Sequence, residues 1–472
     1  MAITPQNDDN APCSFQASFI LVDIRARRAA SIFPAYNIPP AFKIRADPMK
    51  MPHLIRSSAW LFMDRCFRIG VGFLVGVVIA RHYGPAAYGQ LAYVVAMASL
   101  LGSLANVGLD EIAPRDLAAK DRGVSLPDLQ KTAIVLRLFA EALAYVLLLG
   151  FMLATQGFTL VFWLSAIYGG YFLLQSTDIL EYRLRVDGEY GAIARLRSSA
   201  SLLSSLAKLT AIYCDLPLIW IAVAMVIEYA LATAWYIRML HRRNWWSDAR
   251  FNIGYAQNVL RRSGFLIVTG FLAALQVRVD SVMIEHFLGW ESLGQYSAAL
   301  KIMELFDTGA IVLSIVLVPE FARKTGAELT PLARRAYLAG ISLYLISIPV
   351  MFLVWYLFPH VYGQSYSQGQ AVMPYLFIRP LFILMGFLRT GLAVAEGRYT
   401  ALPFYALCGC ILSATLGWPL IPEYGLRGAA MASMASLLIS NIAMDLLLYR
   451  RHLGWILTCP LEIGGLLQRA RS

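Results

Sequence analysis

Charged side chains recur inside runs of this chain that are otherwise apolar. Asp64, Arg65 and Arg68 fall in one run, and Arg137 with Glu141 in another. Lys208 and Glu228 follow singly, then Arg278 and Asp280, then Lys301, Glu304 and Asp307, and finally Arg379. At the centre of a bilayer such a group costs about 2.5–3.5 kcal/mol on insertion scales, so it needs a partner or a water-filled space. Asp64 with Arg68, and Arg137 with Glu141, are four residues apart and can neutralise one another on one helix face. Arg65, Arg278, Lys301 and Arg379 are harder to cancel locally. Fixed cations in a lumen suit an anionic substrate, and guanidinium forks suit phosphate oxygens in particular. Arg195, Arg197 and Arg389 are expected at the membrane interface, where long basic side chains snorkel to water.

That chemistry is binding rather than bond-making. The six cysteines show no CxxC spacing, the six histidines are scattered, and no Walker-type, GxSxG or HExxH motif occurs. No cofactor or metal is implied, and no enzyme. Energy for a transport cycle would come from a proton or sodium gradient, or from consumption of the product.

The elements that position these charges follow from composition. Of 472 residues 58% are apolar and 15% charged, with mean hydropathy +0.60, against about 25% charged in an ordinary soluble domain. Runs of about 20 apolar residues, each long enough to span a bilayer, recur from Ser57 onward. About twelve are expected: near 57–80, 88–112, 131–152, 158–178, 190–212, 216–237, 264–286, 292–318, 333–357, 371–395, 400–420 and 425–449. All must be helical, because lipid offers backbone amides no partner. Small residues, as in "GVGFLVG" (Gly70 to Gly76) and "SSASLLSSLAKL" (Ser198 to Leu209), let such helices pack closely.

The net charge of +11 sorts by loop parity. Even-numbered connections carry Arg115, Lys120, Arg122, Arg183, Arg185, Arg238, Arg242, Arg243, Arg250, Arg261, Arg262, Arg323, Lys324, Arg334, Arg335 and Arg398. Odd-numbered ones carry little beyond Arg81 and Arg427. The positive-inside rule then places both termini in the cytoplasm, so the basic excess is topology rather than a nucleic-acid footprint. Odd connections are short and leave no room for a catalytic domain outside. Residues 1–56 read as a disordered cytoplasmic extension without a secretory pattern; Met49 and Met51 stand beside Met1 as possible starts. Residues 451–472 read as a cytoplasmic tail.

One line is written twice. "IARHYGPAAYGQ" (Ile79 to Gln90) and "IEHFLGWESLGQ" (Ile284 to Gln295) match at Ile, Gly, Gly and Gln, each pair 205 residues apart, and Pro114 and Pro319 keep the same offset. Five positions at one offset argue for internal duplication. The copies begin with the first and seventh spans, so both halves point the same way, as bundles 57–250 and 251–450 about a pseudo-two-fold axis along the membrane normal. Gly84, Gly89, Gly289 and Gly294 are expected to form the outer turn of each half, where positive φ is cheap for glycine.

"WLFMDR" (Trp60 to Arg65), "IARHYGPAAYGQL", "NVGLDEIAPRDLAAK" (Asn106 to Lys120), "RVDSVMIEHFLG" (Arg278 to Gly289), "LGQYSAALKIMEL" (Leu293 to Leu305) and "YGLRGAAMAS" (Tyr424 to Ser433) resemble Wzx-type O-antigen and polysaccharide flippases. These belong to the multidrug/oligosaccharidyl-lipid/polysaccharide (MOP) exporter superfamily. The resemblance runs from about residue 57 to 450. It implies an all-α, MATE-like protein of the bacterial inner membrane that moves an undecaprenyl-diphosphate-linked oligosaccharide to the periplasmic leaflet. Polymerase and chain-length machinery would be its partners. Arg65, Arg68, Arg278 and Arg379, with Lys301, would then hold the diphosphate and sugar head, and Asp64, Asp280, Glu304 or Glu228 would answer to protons or sodium. The alternatives are a multidrug exporter of the same superfamily, a membrane-embedded glycan polymerase or glycosyltransferase, and a scaffold for assembly machinery. The intramembrane arginines weigh against the first and the missing outer loop against the second.

Overall fold

Helix is the backbone's only self-sufficient form in lipid, and in the computed structural model every regular element among the described residues is helical. The structure describes residues 51–119, 123–246, 249–323, 329–395 and 401–443. Residues 1–50, the tail 451–472, Lys120, Arg122, Lys324 and Arg398 lie outside that set. The elements are α1 (Met51–Ala105), α2 (Leu109–Ala118), α3 (Leu126–Gln156), α4 (Leu160–Gly169), α5 (Tyr171–Gln175), α6 (Asp178–Val186), α7 (Tyr190–Tyr213) and α8 (Ile219–Arg242). They continue as α9 (Ile253–Arg323), α10 (Leu329–Tyr362), α11 (Ser367–Leu376), α12 (Arg379–Ala395), α13 (Leu402–Tyr424) and α14 (Leu426–Leu438).

Two of these helices are each a pair of spans. α1 breaks at Gly84 (φ 77°, ψ 174°) and α9 at Gly289 (φ 78°, ψ −177°). Nearly the same torsions recur 205 residues apart, in the left-handed region where an L side chain is strained. Seven described helices are long and apolar enough to cross a membrane, or eight with Gln364–Leu376 and Arg379–Ala393, bent by 47°, taken as one. Splitting α1 and α9 at their glycines, and adding the charge-bearing α7 and the interrupted α4–α5, gives twelve spanning segments among the described residues.

Several boundaries differ from expectation: α9 starts at Ile253 rather than residue 264, and two shifts in the first half have local causes. α1 starts at Met51 rather than residue 57, because Pro52 is tolerated in a first helical turn. The second span ends at Ala105 instead of 112: Gly108 turns left-handed (φ 64°) and the Asn106 side chain accepts from Asp110 N, so the chain restarts as α2.

The buried apolar residues divide in a way that matters for movement. One large core, including Tyr93, Ile284, Tyr296 and Tyr366, joins both halves around the two glycine breaks. A second lies mainly in the first half, around Leu109, Ile179 and Tyr236, and takes in Tyr255 and Val259 from the start of α9, and a third lies within the second half, around Phe321, Tyr337 and Leu388. The halves are thus sealed most heavily at the Gly84/Gly289 end.

Candidate functional site

That seal is built on the duplicated line. Gly89 and Gly294 are helical rather than positive in φ, so of the four expected turn glycines only Gly84 and Gly289 turn the chain. Gly89 and Gly294 serve close approach. A methyl group on Gly89 would collide with the Trp290 carbonyl and the Gly294 amide, and one on Gly294 with the Pro85 carbonyl and the Gly89 amide. Pro85 and Trp290 are themselves 205 residues apart, so the two collisions are copies of one another by rotation and the pseudo-two-fold axis passes between the glycines. Contacts around it also cross the halves: Tyr366 Oη donates to Ala80 O at 2.9 Å, and Gln156 Nε2 to Glu285 Oε1 at 3.2 Å. Tyr93 meets Trp290 edge-on at 5.3 Å, also across the halves, and within the second half Gly369 N donates to Gln295 Oε1 at 3.1 Å.

The charged residues sit at measurable depth below this seal. At about 1.5 Å per residue from the glycine break, Arg278 and Lys301 lie about 16–18 Å in, near the middle of a bilayer core about 30 Å thick, and Glu304 about 22 Å in, close to the depth of Arg68. Arg68 and Asp64 lie about 24–30 Å in, toward the far face.

In the first half Arg68 Nε donates to Asp64 Oδ2 at 3.2 Å, and Ser198 Oγ donates to Asp64 Oδ1 at 2.5 Å. Arg68 Nη1 is 4.0 Å from Glu228 Oε1, and Lys208 lies in the field of the same carboxylate. Arg65 is exposed. Asp64 and Arg68 therefore meet as their spacing predicts, and Glu228 joins them from α8.

The second half gathers six charges from the two arms of α9 and from α12. Lys301 Nζ donates to Glu304 Oε2 at 3.1 Å, and Arg278 Nη1 lies 3.7 Å from Glu304 Oε1. These side chains keep 50%, 26% and 25% of their surface for Lys301, Glu304 and Arg278. Exposed charge at mid-depth on apolar helices needs water, not lipid. Beside them Arg379 Nε donates to Asp307 Oδ2 at 3.0 Å, and this pair is almost closed, at 5% and 10%. Asp280 is buried and accepts from Tyr296 Oη at 2.8 Å and from Ser281 N at 2.7 Å. Arg379, expected on sequence as an uncancelled cation, is thus held by a carboxylate 72 residues away. It opens α12 at the bend after α11, and Pro380, which has no amide hydrogen to give, marks that bend. Interrupted spans are where membrane proteins commonly place binding groups, a signal present in "IRPLF" that charge counting alone passed over.

Other intramembrane and interface charges are spent on structure. Arg137 Nε donates to Glu141 Oε1 at 2.8 Å, as its spacing predicts, and its Nη1 to Asp110 Oδ1 at 2.9 Å, with Tyr182 bonding to Asp110. Two of the three arginines expected to snorkel do not. Arg197 Nη2 bridges Asp178 Oδ1 and Glu181 Oε2, each at 2.7 Å, while Tyr236 Oη donates to Glu181 Oε2 and Arg185 to Glu181 Oε1. Arg389 is buried, bonded to Ser440 O and, at 3.2 Å, to Asn441 Oδ1, with its guanidinium 4.0 Å from the centre of the Tyr405 ring. In both cases carboxyl, amide or ring partners come from helices that only folding brings alongside. Arg195 is exposed and bonds its own helix at Gly191 O. Glu181 lies beyond the fourth span. Burial pushes its carboxyl up, but Arg197 and Arg185 outweigh that and hold it at about 2.

A cleft of about 400 Å³ lies away from both clusters, lined by Asp116, Asn252, Tyr255, Asn258 and Arg262 among others. There Asp116 takes hydrogen bonds from Tyr255 Oη at 3.0 Å and Arg262 Nη1 at 3.2 Å, tying the start of α9 to α2.

Comparison with known proteins sets these features in a family. Residues 54–324 match the model of the family described as polysaccharide biosynthesis protein. The capsular polysaccharide biosynthesis protein CapF of Staphylococcus aureus is 21% identical over 240 residues, 48% of this chain and 59% of that relative. The chain therefore spans less than two thirds of the curated relative it matches. Among solved structures, an inward-facing multidrug resistance MATE family transporter of the MOP superfamily superposes with a TM-score of 0.64 at 14% identity, covering 82% of this chain and 95% of that one. The lipid II flippase MurJ, in an inward closed conformation, gives 0.65 at 13% identity, covering 86% and 91%. At such identities the likeness is one of fold.

Proposed function

We propose, from the premise that this chain belongs to the polysaccharide biosynthesis protein family and is a multi-pass membrane protein of MOP fold, that it flips lipid-linked oligosaccharides. The cargo is an undecaprenyl-diphosphate-linked repeat unit of a surface polysaccharide such as O-antigen. It is carried from the cytoplasmic to the periplasmic leaflet of the bacterial inner membrane by alternating access, both termini being cytoplasmic. The observation that carries this reading is the partly exposed group of Arg278 and Lys301 at mid-depth with Glu304 close by, where an anion can be met by guanidinium and ammonium in water while its lipid tail stays in the bilayer. Arg65 and Arg68 form a second station nearer the cytoplasm. Arg379 backs the first through Asp307. Asp64, Asp280 and Glu228 are the acids open to coupling with protons or sodium, and Asp280 is the most enclosed of them.

The seal around Gly89 and Gly294 forms the periplasmic end in this topology, so the cycle opens there and closes where α1 and α9 begin. Nothing in the cycle makes or breaks a covalent bond, and a polymerase would act on the delivered unit. The test is translocation of an undecaprenyl-diphosphate sugar by the purified protein in liposomes. Arg65, Arg68, Arg278 and Arg379 are replaced singly by alanine in parallel with assays of surface polysaccharide. Loss in the Arg278 and Arg68 variants is the expected result, and undiminished export in all four would overturn the binding assignment.

A further inference from the structure

Glu304 is shared in a way no other carboxylate of the candidate site is. Its two oxygens face two different cations, Oε2 toward Lys301 at 3.1 Å and Oε1 toward Arg278 at 3.7 Å, and the Arg278 contact is too long to be a hydrogen bond. All three side chains remain partly exposed. Arg379, by contrast, has Asp307 to itself at 3.0 Å in a nearly closed pocket. The open group therefore holds one carboxylate for two cations, loosely, with guanidinium donors unspent. A carboxylate spread between two cations has the shape and charge pattern of two phosphate oxygens spread between the same two.

We propose that Glu304 is a resident counter-anion, which holds Arg278 and Lys301 together in the empty carrier and is displaced from them by a phosphate of the cargo. The proposal rests on the flippase reading and deepens it. Without Glu304 the two cations would repel one another and bind a diphosphate too firmly to release it. With it, binding is an exchange of one anion for another, so part of the attraction is already spent. When cargo leaves, Glu304 returns and restores the empty state. This moves Glu304 out of the group of coupling acids, where its charge alone had placed it.

The test measures binding and turnover separately. The full-length protein in nanodiscs is titrated with undecaprenyl diphosphate, with undecaprenol as the neutral control, and translocation is followed in liposomes. Glu304→Gln is expected to bind undecaprenyl diphosphate about tenfold more tightly and to turn over more slowly, while Arg278→Ala binds it more weakly than wild type. Glu304→Ser supplies a second neutral variant should the first fail to fold, with the same expectation. Equal or weaker binding by a folded neutral variant overturns the counter-anion role while leaving the flippase reading intact. Failure of the wild type to prefer the diphosphate over undecaprenol overturns both.

Discussion

The two halves share a backbone and differ in charge. Gly84 and Gly289 turn the chain with nearly equal torsions, and Gly89 and Gly294 press on each other through matching neighbours. The positions 205 residues from Arg278, Asp280, Lys301 and Glu304 are Phe73, Val75, Ala96 and Ser99. None of the four charges at the centre of the second half has a counterpart in the first. The first half places its acids and bases farther from the glycine break, several in closed networks such as Arg197 with Asp178 and Glu181, while Arg68 and Glu228 stay partly exposed. The second leaves Arg278 and Lys301 partly open at mid-depth, with Glu304 close by. The backbone turn was kept in both copies, and the charges on either side of it were not.

The largest effect expected from this contrast is on stability, in the first half. Glu181→Gln leaves Arg197 with Asp178 as its remaining carboxylate and gives Arg185 and Tyr236 a neutral amide in place of a charged acceptor, and losing these charge-assisted bonds together costs about 3 kcal/mol. Thermal melting in detergent should show it, whereas transport per folded molecule should hardly change. The pH dependence has a fixed sign. Glu181 titrates at about 2 in the folded protein against an ordinary value of 4.5. Its contribution is therefore complete above about pH 4.5 and is lost as pH falls toward 2. The Gln variant should flatten that acid limb, and an unchanged limb would mean that Glu181 is not held by the network.

Arg278→Ala tests the other side of the contrast and should give the next largest effect. Losing charge-assisted hydrogen bonds to a bound anion costs about 1.5–3 kcal/mol, roughly ten- to a hundredfold in affinity. The group is half exposed, so melting should shift little. A large fall in melting temperature with unchanged binding would reverse the roles assigned to the two halves.

How much of this was legible in the sequence follows from how far apart the partners stand. Asp64 with Arg68 and Arg137 with Glu141 are one helical turn apart, and both pairs form. The duplicated line located both backbone breaks. Arg379 with Asp307, and Arg197 with Asp178 and Glu181, are joined only by tertiary packing, so counting charges within one span left those arginines unpaired. The bend before Arg379 has a sequence signal in Pro380, since proline removes one backbone hydrogen bond, although α10 runs through Pro349 unbroken, so proline alone does not locate a bend. The division of labour among the four glycines has no such signal, since helical and left-handed glycine look alike in sequence and only the opposing backbone separates them.

The symmetric part of the comparison offers the smallest and most exacting effect. Gly89→Ala places a methyl group on the carbonyl of Trp290, and Gly294→Ala places one on that of Pro85. Both obstacles are backbone and cannot rotate away. Overpacking of this kind costs about 1–3 kcal/mol, and the pseudo-two-fold axis requires the two variants to cost nearly the same. Both should also loosen the seal between the halves, so that a single cysteine introduced, in a cysteine-free background, at Ala80, which is buried and accepts from Tyr366, becomes more reactive toward an impermeant thiol reagent added on the side that the glycine breaks face. Equal shifts would tie the seal to the axis. A clear shift in one variant and none in the other would show that the duplicated line has diverged in packing as well as in charge, and that the halves no longer move as equivalents.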